Sequence, residues 1–250
     1  MRKIIEAENL GFSYGGESVF SGVTFSVREG DFVALIGSNG AGKSTLIKLL
    51  LGELSPSAGA IRLFGGDAAH FHDWPKIGYL PQNAARAGQG FPASVREVVE
   101  ANLYTGAGLL HFPGRALRAR AAEALRQVDM AGYEKRLVGE LSGGQQQRVM
   151  LARVLAGQPE VMILDEPVSG VDQKTVDALY QLLIRLNREQ NLTILMVTHD
   201  VARTSAIASR VLCLEEGSLV ELEPHQVKEE LRHRHKHPTE GGDGHGHLAV

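Results

Sequence analysis

The sequence is poor in several features that would direct it to a particular class of protein. It has one cysteine, Cys213, among 250 residues, so a disulfide framework is excluded. No run of ~18 apolar residues occurs, and therefore no segment is predicted to span a membrane. The net charge is only -3, which provides no strong basic field for binding nucleic acid. Any role at a membrane would depend on a partner protein.

Composition and local context are typical of a soluble cytoplasmic protein. Cys213 lies in the apolar run VLCL, which indicates a buried thiol in a reducing compartment. Arg2 and Lys3 are followed by two isoleucines and Glu6, a beginning that does not resemble a secretory signal. Hydrophobic residues make up 43% of the chain and charged residues 22%, so we expect a substantial core. The length permits one large domain or a domain with an inserted lobe.

Short apolar runs rich in β-branched residues recur along the chain: VTFSV, FVALI, AIRLF, IGYL, VMIL, TILMV and VLCL. Several are continuous rather than alternating, which is typical of strands buried on both faces. Helical patterns lie between many of them, such as the one from Asp172 to Gln190, where Asp172 is a plausible N-cap. The sequence therefore predicts an α/β fold with a largely parallel sheet. Residues 1–30 have strand signals without helices and predict an added antiparallel sheet.

The middle of the chain has a different character. From about residue 84 to residue 156 strand signals are almost absent, and Ser94 and Glu97 form a capping box that begins a helix. RALRARAAEALRQVDM is alanine-rich, and its apolar side chains fall on one helical face: Leu117, Ala121, Ala124, Leu125 and Val128. We therefore expect a helical subdomain inserted in an α/β domain of residues 1–224. Residues 225–250 are rich in glycine, histidine and charge and are expected to be disordered.

The strongest motif is GSNGAGKST at residues 37–45, which follows the predicted strand FVALI and precedes the helical run LIKLLLGEL. This context is the one that a phosphate-binding P-loop requires. Its backbone N–H groups would surround phosphate oxygens, Lys43 would reach the terminal phosphates and Ser44 would bind Mg²⁺. The alternative is a glycine-rich turn with a chance lysine and serine. The predicted nucleotide-binding residues are Gly37, Ser38, Asn39, Gly40, Ala41, Gly42, Lys43, Ser44 and Thr45.

A second motif, VMILDEP at residues 161–167, is an apolar strand that ends in two acids. Two adjacent carboxylates at a buried strand end are unfavourable unless both face a polar site. Asp165 suits a contact with Mg²⁺, and Glu166 is then positioned to polarise or deprotonate an attacking water. The alternative is that the acids cap a turn before Pro167.

A third motif, LSGGQ at residues 141–145, begins an amphipathic helix and forms a second anion-binding helix start. Alone, it would be no more than a good helix cap. Placed between GSNGAGKST and LDEP, it resembles the signature of the ATP-binding-cassette ATPases over roughly residues 3–223. The resemblance implies ATP and Mg²⁺ as ligands and a head-to-tail homodimer. Four signature residues would then serve the partner's nucleotide: Ser142, Gly143, Gly144 and Gln145.

The resemblance extends to four further positions. Tyr14 matches the aromatic residue that stacks on adenine, although an ordinary strand tyrosine is the alternative. Gln82 matches the glutamine that contacts Mg²⁺ and the water, and Asp172 matches the aspartate that crosses the dimer. His199 matches the histidine at the γ-phosphate. Asp165, Ser44 and Gln82 would together hold Mg²⁺.

Two positions depart from the family pattern. Ser38 replaces the usual proline of the P-loop, and Val168 replaces the usual threonine after DEP. Neither position supplies a donor that the family site requires, so we expect ATPase activity despite both changes.

The resemblance also implies what the ATPase would drive. A separate integral membrane permease would contact the helical subdomain near residues 91–94, with this chain peripheral on the cytoplasmic face of the cell membrane. The segments FHDWPKIGYLPQNA and LDEPVSGVDQKTVDALYQLLIRLN are similar to the corresponding segments of bacterial zinc-uptake ATPases. Manganese-uptake ATPases have similar sequences in these segments. An extracytoplasmic metal-binding protein would then belong to the same system. The alternatives are a non-transport cassette ATPase and a metal-chaperone NTPase, but no guanine-specific NKxD motif is present.

The tail reads HRHKHPTEGGDGHGH at residues 233–247. Its histidines could bind Zn²⁺ when neutral: His233, His235, His237, His245 and His247. The alternative is a solvated tail without a function. Because the segment contains Pro238 and four glycines, we expect it to have no fixed geometry.

Overall fold

The computed structural model describes residues 1–84, 92–103, 114–168 and 172–222. Ten strands lie in these ranges: β1 (Lys3–Tyr14), β2 (Glu17–Arg28), β3 (Phe32–Ile36), β4 (Ala58–Leu63), β5 (Gly66–Asp67), β6 (Ile77–Leu80), β7 (Val161–Asp165), β8 (Thr193–Val197), β9 (Arg210–Glu215) and β10 (Ser218–Leu222). The same ranges contain six α-helices: α1 (Lys43–Leu50), α2 (Val95–Ala101), α3 (Arg115–Gln127), α4 (Gly143–Leu155), α5 (Gln173–Gln190) and α6 (Val201–Ile207). Short 3₁₀ turns cover Ala68–His70, Trp74–Lys76 and Val138–Glu140.

A six-stranded sheet with the order β10-β9-β3-β8-β7-β6 forms the centre of the molecule. All pairs are parallel except β9 with β10. Every residue of β3, β7 and β8 is buried, which agrees with their continuous apolar sequences. This sheet confirms the predicted α/β fold with a largely parallel core. Cys213, on β9, is buried as expected.

A second sheet has the order β2-β1-β4-β5 and is antiparallel throughout. Gly15 and Gly16, with φ of 54° and 94°, form the turn between β1 and β2. Apolar side chains from this sheet, such as Ile5 and Phe20, share one hydrophobic core with Leu46 of α1 and with one face of the six-stranded sheet. The predicted N-terminal antiparallel sheet is therefore confirmed.

Helices dominate the described residues between β6 and β7. α2 begins at the predicted capping box, in which Glu97 N–H donates to Ser94 Oγ and the Glu97 carboxylate accepts from Ser94 N–H. Ala121, Ala124 and Leu125 of α3 are buried, and α3 packs against α2 and α4, whereas the expected core residue Leu117 is only half-buried. The inserted helical subdomain of the predicted fold is thus present.

One carboxylate connects these helices to the rest of the molecule. Asp129 accepts from Arg148 of α4 at 3.0 Å and from Arg185 of α5 at 3.1 Å. α5 itself buries six side chains: Val176, Leu179, Tyr180, Leu182, Leu183 and Leu186. No helix in the described ranges is long and apolar enough to cross a bilayer.

Candidate functional site

Four neighbouring strands place predicted site residues at one edge of the six-stranded sheet. In the order β3-β8-β7-β6, each strand runs parallel to the next, so their carboxyl ends meet at the same edge. The P-loop follows β3, His199 follows β8, Asp165 and Glu166 stand at the end of β7, and Gln82 follows β6.

The P-loop closes around its own lysine. Lys43 Nζ donates to the carbonyl oxygen of Gly37 at 2.8 Å and to that of Ser38 at 2.7 Å. Gly42, with φ of 99°, is the N-cap of α1, and this left-handed conformation favours glycine. Burial lowers the pKa of Lys43, while Glu166, Glu215 and Asp165 act in the opposite direction. A desolvated ammonium group beside a helix N-terminus is suited to bind anionic oxygens.

Glu166 is held from both sides. Its Oε2 accepts from Gln82 Nε2 at 2.7 Å, and its Oε1 contacts His199 Nε2. Its backbone has a φ of 49°, unusual for a residue with a side chain, and its N–H donates to Val197 O at 3.0 Å. Such strain is found where the surrounding structure imposes a conformation, often at functional sites. The carboxylate is therefore held at one position beside the P-loop.

Asp165, the neighbouring acid, differs from Glu166 because it is buried, with 7% of its surface exposed. Burial and the charge of Glu166 raise the pKa of Asp165, whereas Lys43 and His199 act to lower it. An electrostatically unfavourable carboxylate at this position would gain from a bound cation. Asp165, the Ser44 hydroxyl and the Gln82 amide offer hard oxygen ligands, which fit Mg²⁺.

One pocket of about 660 Å³ is lined by P-loop residues together with Gln82, Glu166 and His199, whereas Asp165 is not among its lining residues. Its lining includes most of the predicted nucleotide site: Tyr14, Asn39, Gly40, Gly42, Lys43, Ser44, Thr45, Gln82, Glu166 and His199. Tyr14 is half exposed, and its ring lies edge-on to Phe12 with 4.8 Å between the centroids. Its exposed ring is available to stack on a base at the pocket's rim.

The signature residues form a second site. Ser142 and Gln145 make a capping box at the start of α4, as predicted for a helix start. A Cβ on Gly144 would lie 2.4 Å from Thr175 Cγ2, so this glycine permits close packing of α4 against α5. Asp172, the N-cap of α5 as expected, accepts from Thr175 Oγ1 at 2.6 Å, and hydrogen bonds from Thr175 lower the pKa of Asp172.

Ser142, Gly144 and Gln145 line a separate pocket of about 310 Å³. Among the described residues, this pocket shares none with the pocket around Lys43. Within one chain, then, the structure does not bring the signature to the P-loop.

Glu215 is a site residue that the sequence did not predict. Its carboxylate accepts from Ser38 N–H at 2.6 Å and from Ser38 Oγ at 2.7 Å. Ser38 therefore makes a contact that the comparison with the family pattern did not anticipate. No sequence signal could have found it, because 177 positions separate the two residues.

Several predicted positions lie outside the described residues. These are Phe91 of the expected permease contact and the five tail histidines, His233, His235, His237, His245 and His247. In the described ranges, no group of three or more His, Cys, Asp or Glu side chains could hold a metal ion.

The P-loop, the acids after β7 and the LSGGQ helix define a class of protein: the ATP-binding cassette ATPases. The ABC transporter family profile matches residues 20–169. The chain belongs to this family.

The sequences of known relatives align with most of this chain. The zinc uptake system ATP-binding protein ZurA of Listeria innocua is 42% identical over 234 residues, covering 94% of this chain and 91% of the relative. The zinc import ATP-binding protein ZnuC of Paracoccus denitrificans is 38% identical, covering 86% and 77%. The manganese transport system ATP-binding protein MntB of Bacillus subtilis is 40% identical, covering 79% and 77%.

Solved structures show the same fold. cbiO1 of Clostridium perfringens, part of the ABC transporter complex cbiONQ, superposes with a TM-score of 0.82 at 29% identity, covering 92% of both chains. A bacterial ABC transporter cassette solved as a dimer has a TM-score of 0.72 at 28% identity, covering 88% of this chain and 98% of the other.

Proposed function

We propose that this chain is the ATP-hydrolysing subunit of an ABC importer for a divalent metal ion, zinc in the first place. The observation that carries the hydrolytic part is the position of Glu166. Its carboxylate is held between Gln82 and His199 in the pocket that the P-loop lines. The choice of metal is supported by relatives named for zinc uptake and zinc import.

Each residue in the pocket has a distinct part in the proposed reaction. Tyr14 stacks on adenine, and the backbone N–H groups of residues 37–45 together with Lys43 bind the phosphates. Glu166 accepts a proton from the attacking water, and Gln82 orients the Glu166 carboxylate and the water. His199 donates to an oxygen of the γ-phosphoryl group, on which charge develops.

Ser44, Gln82 and Asp165 would hold Mg²⁺ together with the phosphates. When bound, the ion would neutralise charge on the β- and γ-phosphoryl oxygens. Asp165 contributes its buried carboxylate, and Ser44 contributes an exposed hydroxyl at the start of α1.

The active assembly in this proposal is a head-to-tail homodimer. Ser142, Gly144 and Gln145 line a pocket to which no P-loop residue contributes. These residues and the neighbouring Gly143 would therefore serve the nucleotide of a second copy. Asp172, beside that pocket at the start of α5, would cross to the partner. A solved cassette dimer at 28% identity supports this assembly.

ATP-driven closure of the dimer would act on integral membrane permease subunits through the helical subdomain, with this chain peripheral on the cytoplasmic face. An extracytoplasmic metal-binding protein would deliver the cargo. Zinc import is tested by deleting the gene together with its permease and measuring growth in metal-depleted medium. We expect added zinc to rescue growth and added manganese not to; rescue by manganese alone would assign the importer to manganese, as the similarity to MntB allows.

The tail histidines are a further part of this proposal and rest on the sequence alone. They would bind Zn²⁺ and lower ATPase activity when the metal is abundant. Truncation after Pro224 tests this, because zinc should then alter the ATPase activity of the full chain and leave that of the truncated chain unchanged. An identical zinc response of the two forms would leave the tail without this role.

A further inference from the structure

The end of β9 supports the beginning of the P-loop. β3 and β9 are parallel neighbours, with Ile36 opposite Cys213, so residues 37–38 of the P-loop lie beside residues 214–215 at the end of β9. A Cβ on Gly37 would lie 2.1 Å from the carbonyl oxygen of Leu214, which means that the loop backbone packs directly on the end of β9. The next residue of the loop, Ser38, forms hydrogen bonds with the side chain of Glu215.

The contact between Ser38 and Glu215 uses both carboxylate oxygens. Oε1 accepts from the Ser38 backbone N–H at 2.6 Å, and Oε2 accepts from the Ser38 hydroxyl at 2.7 Å. A paired contact of this kind fixes the orientation of the peptide unit as well as its position. Hydrogen bonds to a charged group are also stronger than those between neutral groups.

Ser38 connects this carboxylate to the ATP-binding lysine. The carbonyl oxygen of Ser38 accepts from Lys43 Nζ at 2.7 Å and from Ala41 N–H at 3.3 Å. Glu215 therefore accepts hydrogen bonds from the N–H and the hydroxyl of Ser38, and Lys43 donates a hydrogen bond to the carbonyl oxygen of the same residue. A shift of residue 38 would move the lysine and the N–H groups that follow it.

We propose that Glu215 is a positioning residue for ATP binding, which acts through Ser38 to hold the P-loop in its phosphate-binding conformation. The inference rests on the proposed function, because it concerns the same nucleotide site. It also accounts for the departure at residue 38. Proline, the usual residue there, restricts its own φ by its ring but has no N–H and no hydroxyl, so it could make neither contact. In this chain the hydrogen bonds to Glu215 restrict the backbone of Ser38, as the ring of proline would restrict its own backbone.

The first test compares Glu215→Ala with Glu215→Gln in steady-state ATP hydrolysis. Alanine removes both acceptors, so we expect the KM for ATP to rise about tenfold, with kcat changed less than about threefold. Glutamine can accept from the Ser38 N–H and donate to the Ser38 hydroxyl, so its KM should stay within about twofold of the wild-type value. The same KM in all three proteins, or an equal rise in both variants, would overturn the proposal.

Glu216→Gln is the matched control, because it removes the same charge from the adjacent exposed residue. Among the described residues the Glu216 side chain forms no hydrogen bond or ion pair that would be lost. Its KM should equal that of the wild type. A rise in KM equal to that of Glu215→Ala would show that local charge, rather than the contact with Ser38, is responsible, and would refute the inference.

A double-mutant cycle provides the decisive measurement. Ser38→Ala removes the hydroxyl and keeps the backbone N–H, so alone it should raise KM by about threefold. In the Glu215→Ala background it should change KM by less than about 1.5-fold, because its partner is already absent. Multiplicative effects would refute a shared role. Hydrolysis by the wild type and its loss in Glu166→Gln test the proposed function separately, so the two ideas can fail independently.

Discussion

At the scale of single residues, Glu166 is the group on which the proposed hydrolysis depends most directly. Its two oxygens are held by Gln82 and His199, so the amide of Glu166→Gln would occupy the same space without accepting a proton. We expect the rate of phosphate release at saturating ATP to fall by about 10²–10⁴. ATP affinity, measured by titration calorimetry, should stay within about threefold of the wild-type value, since the P-loop is untouched. Activity above a tenth of wild type would remove Glu166 from the role of base.

Asp165 gives a prediction about stability and pH. Burial and the charge of Glu166 raise its pKa in the folded protein, so the folded state holds the proton more tightly than the unfolded chain. The contribution of this group to stability therefore falls as pH rises from its unfolded pKa through its folded pKa, and the loss is complete above the folded pKa. Asp165→Asn removes the charge, and we expect the nucleotide-free protein to melt a few degrees higher at pH 7.

Two comparisons check the Asp165 prediction. The difference in free energy of unfolding between Asp165→Asn and the wild type should shrink as pH is lowered toward 3.8, the ordinary pKa of aspartate. Glu17→Gln, at an exposed position at the start of β2, should show neither the gain nor its pH dependence. A lower melting temperature for Asp165→Asn at pH 7 would contradict the electrostatic argument.

At the scale of elements, the start of α4 depends on its contact with α5. A Cβ on Gly144 would lie 2.4 Å from Thr175 Cγ2, and Thr175 is itself held by Asp172. Gly144→Ala should therefore destabilise the protein by about 1–3 kcal/mol, because one helix start must shift. The neighbouring Gly143 has open space where a Cβ would be added, so Gly143→Ala is a matched control without that penalty. Urea unfolding measures both, and equal stabilities would show that the contact is not restrictive.

Elements whose signals are local were predictable from the sequence. The capping box at Ser94, the helix start at Ser142 and the N-cap at Asp172 follow from short-range hydrogen-bonding patterns, and the structure contains all three. The apolar strands were recognised because a buried strand needs a continuous apolar sequence. The helical spacing predicts that Leu117 is in the core, but this side chain is half-buried. The spacing of apolar residues indicates which face of a helix is buried. It does not indicate how far along the helix the neighbouring elements cover that face.

At the scale of the whole molecule, the separation of the two pockets predicts an ATP-dependent dimer. Glu166→Gln should bind ATP without hydrolysing it and should elute as a dimer with Mg-ATP and as a monomer without nucleotide, as measured by light scattering. A monomer under saturating Mg-ATP would count against the head-to-tail assembly.

The role of the signature residues in this dimer can be tested by replacing one of their glycines with a bulky side chain. Gly143 has room for a side chain within its own subunit, whereas a bulky residue there would obstruct a partner's phosphates. In the Glu166→Gln background, Gly143→Phe should bind ATP with unchanged affinity and remain monomeric. Gly114→Phe, which also adds bulk in open space, should still dimerise. Dimerisation of Gly143→Phe would place the interface elsewhere.

The sequence by itself determined the local chemistry of this protein. The P-loop, the two acids after an apolar strand and the LSGGQ helix start are each contained in a few consecutive residues, and their meaning depends on backbone and side-chain properties at short range. Only the tertiary structure decided which of these segments meet. Gln82, Glu166 and His199 come together because β6, β7 and β8 are adjacent and parallel. The contacts of Ser38 with Glu215 and of Gly144 with Thr175 also depend on packing between distant segments, which no local pattern encodes.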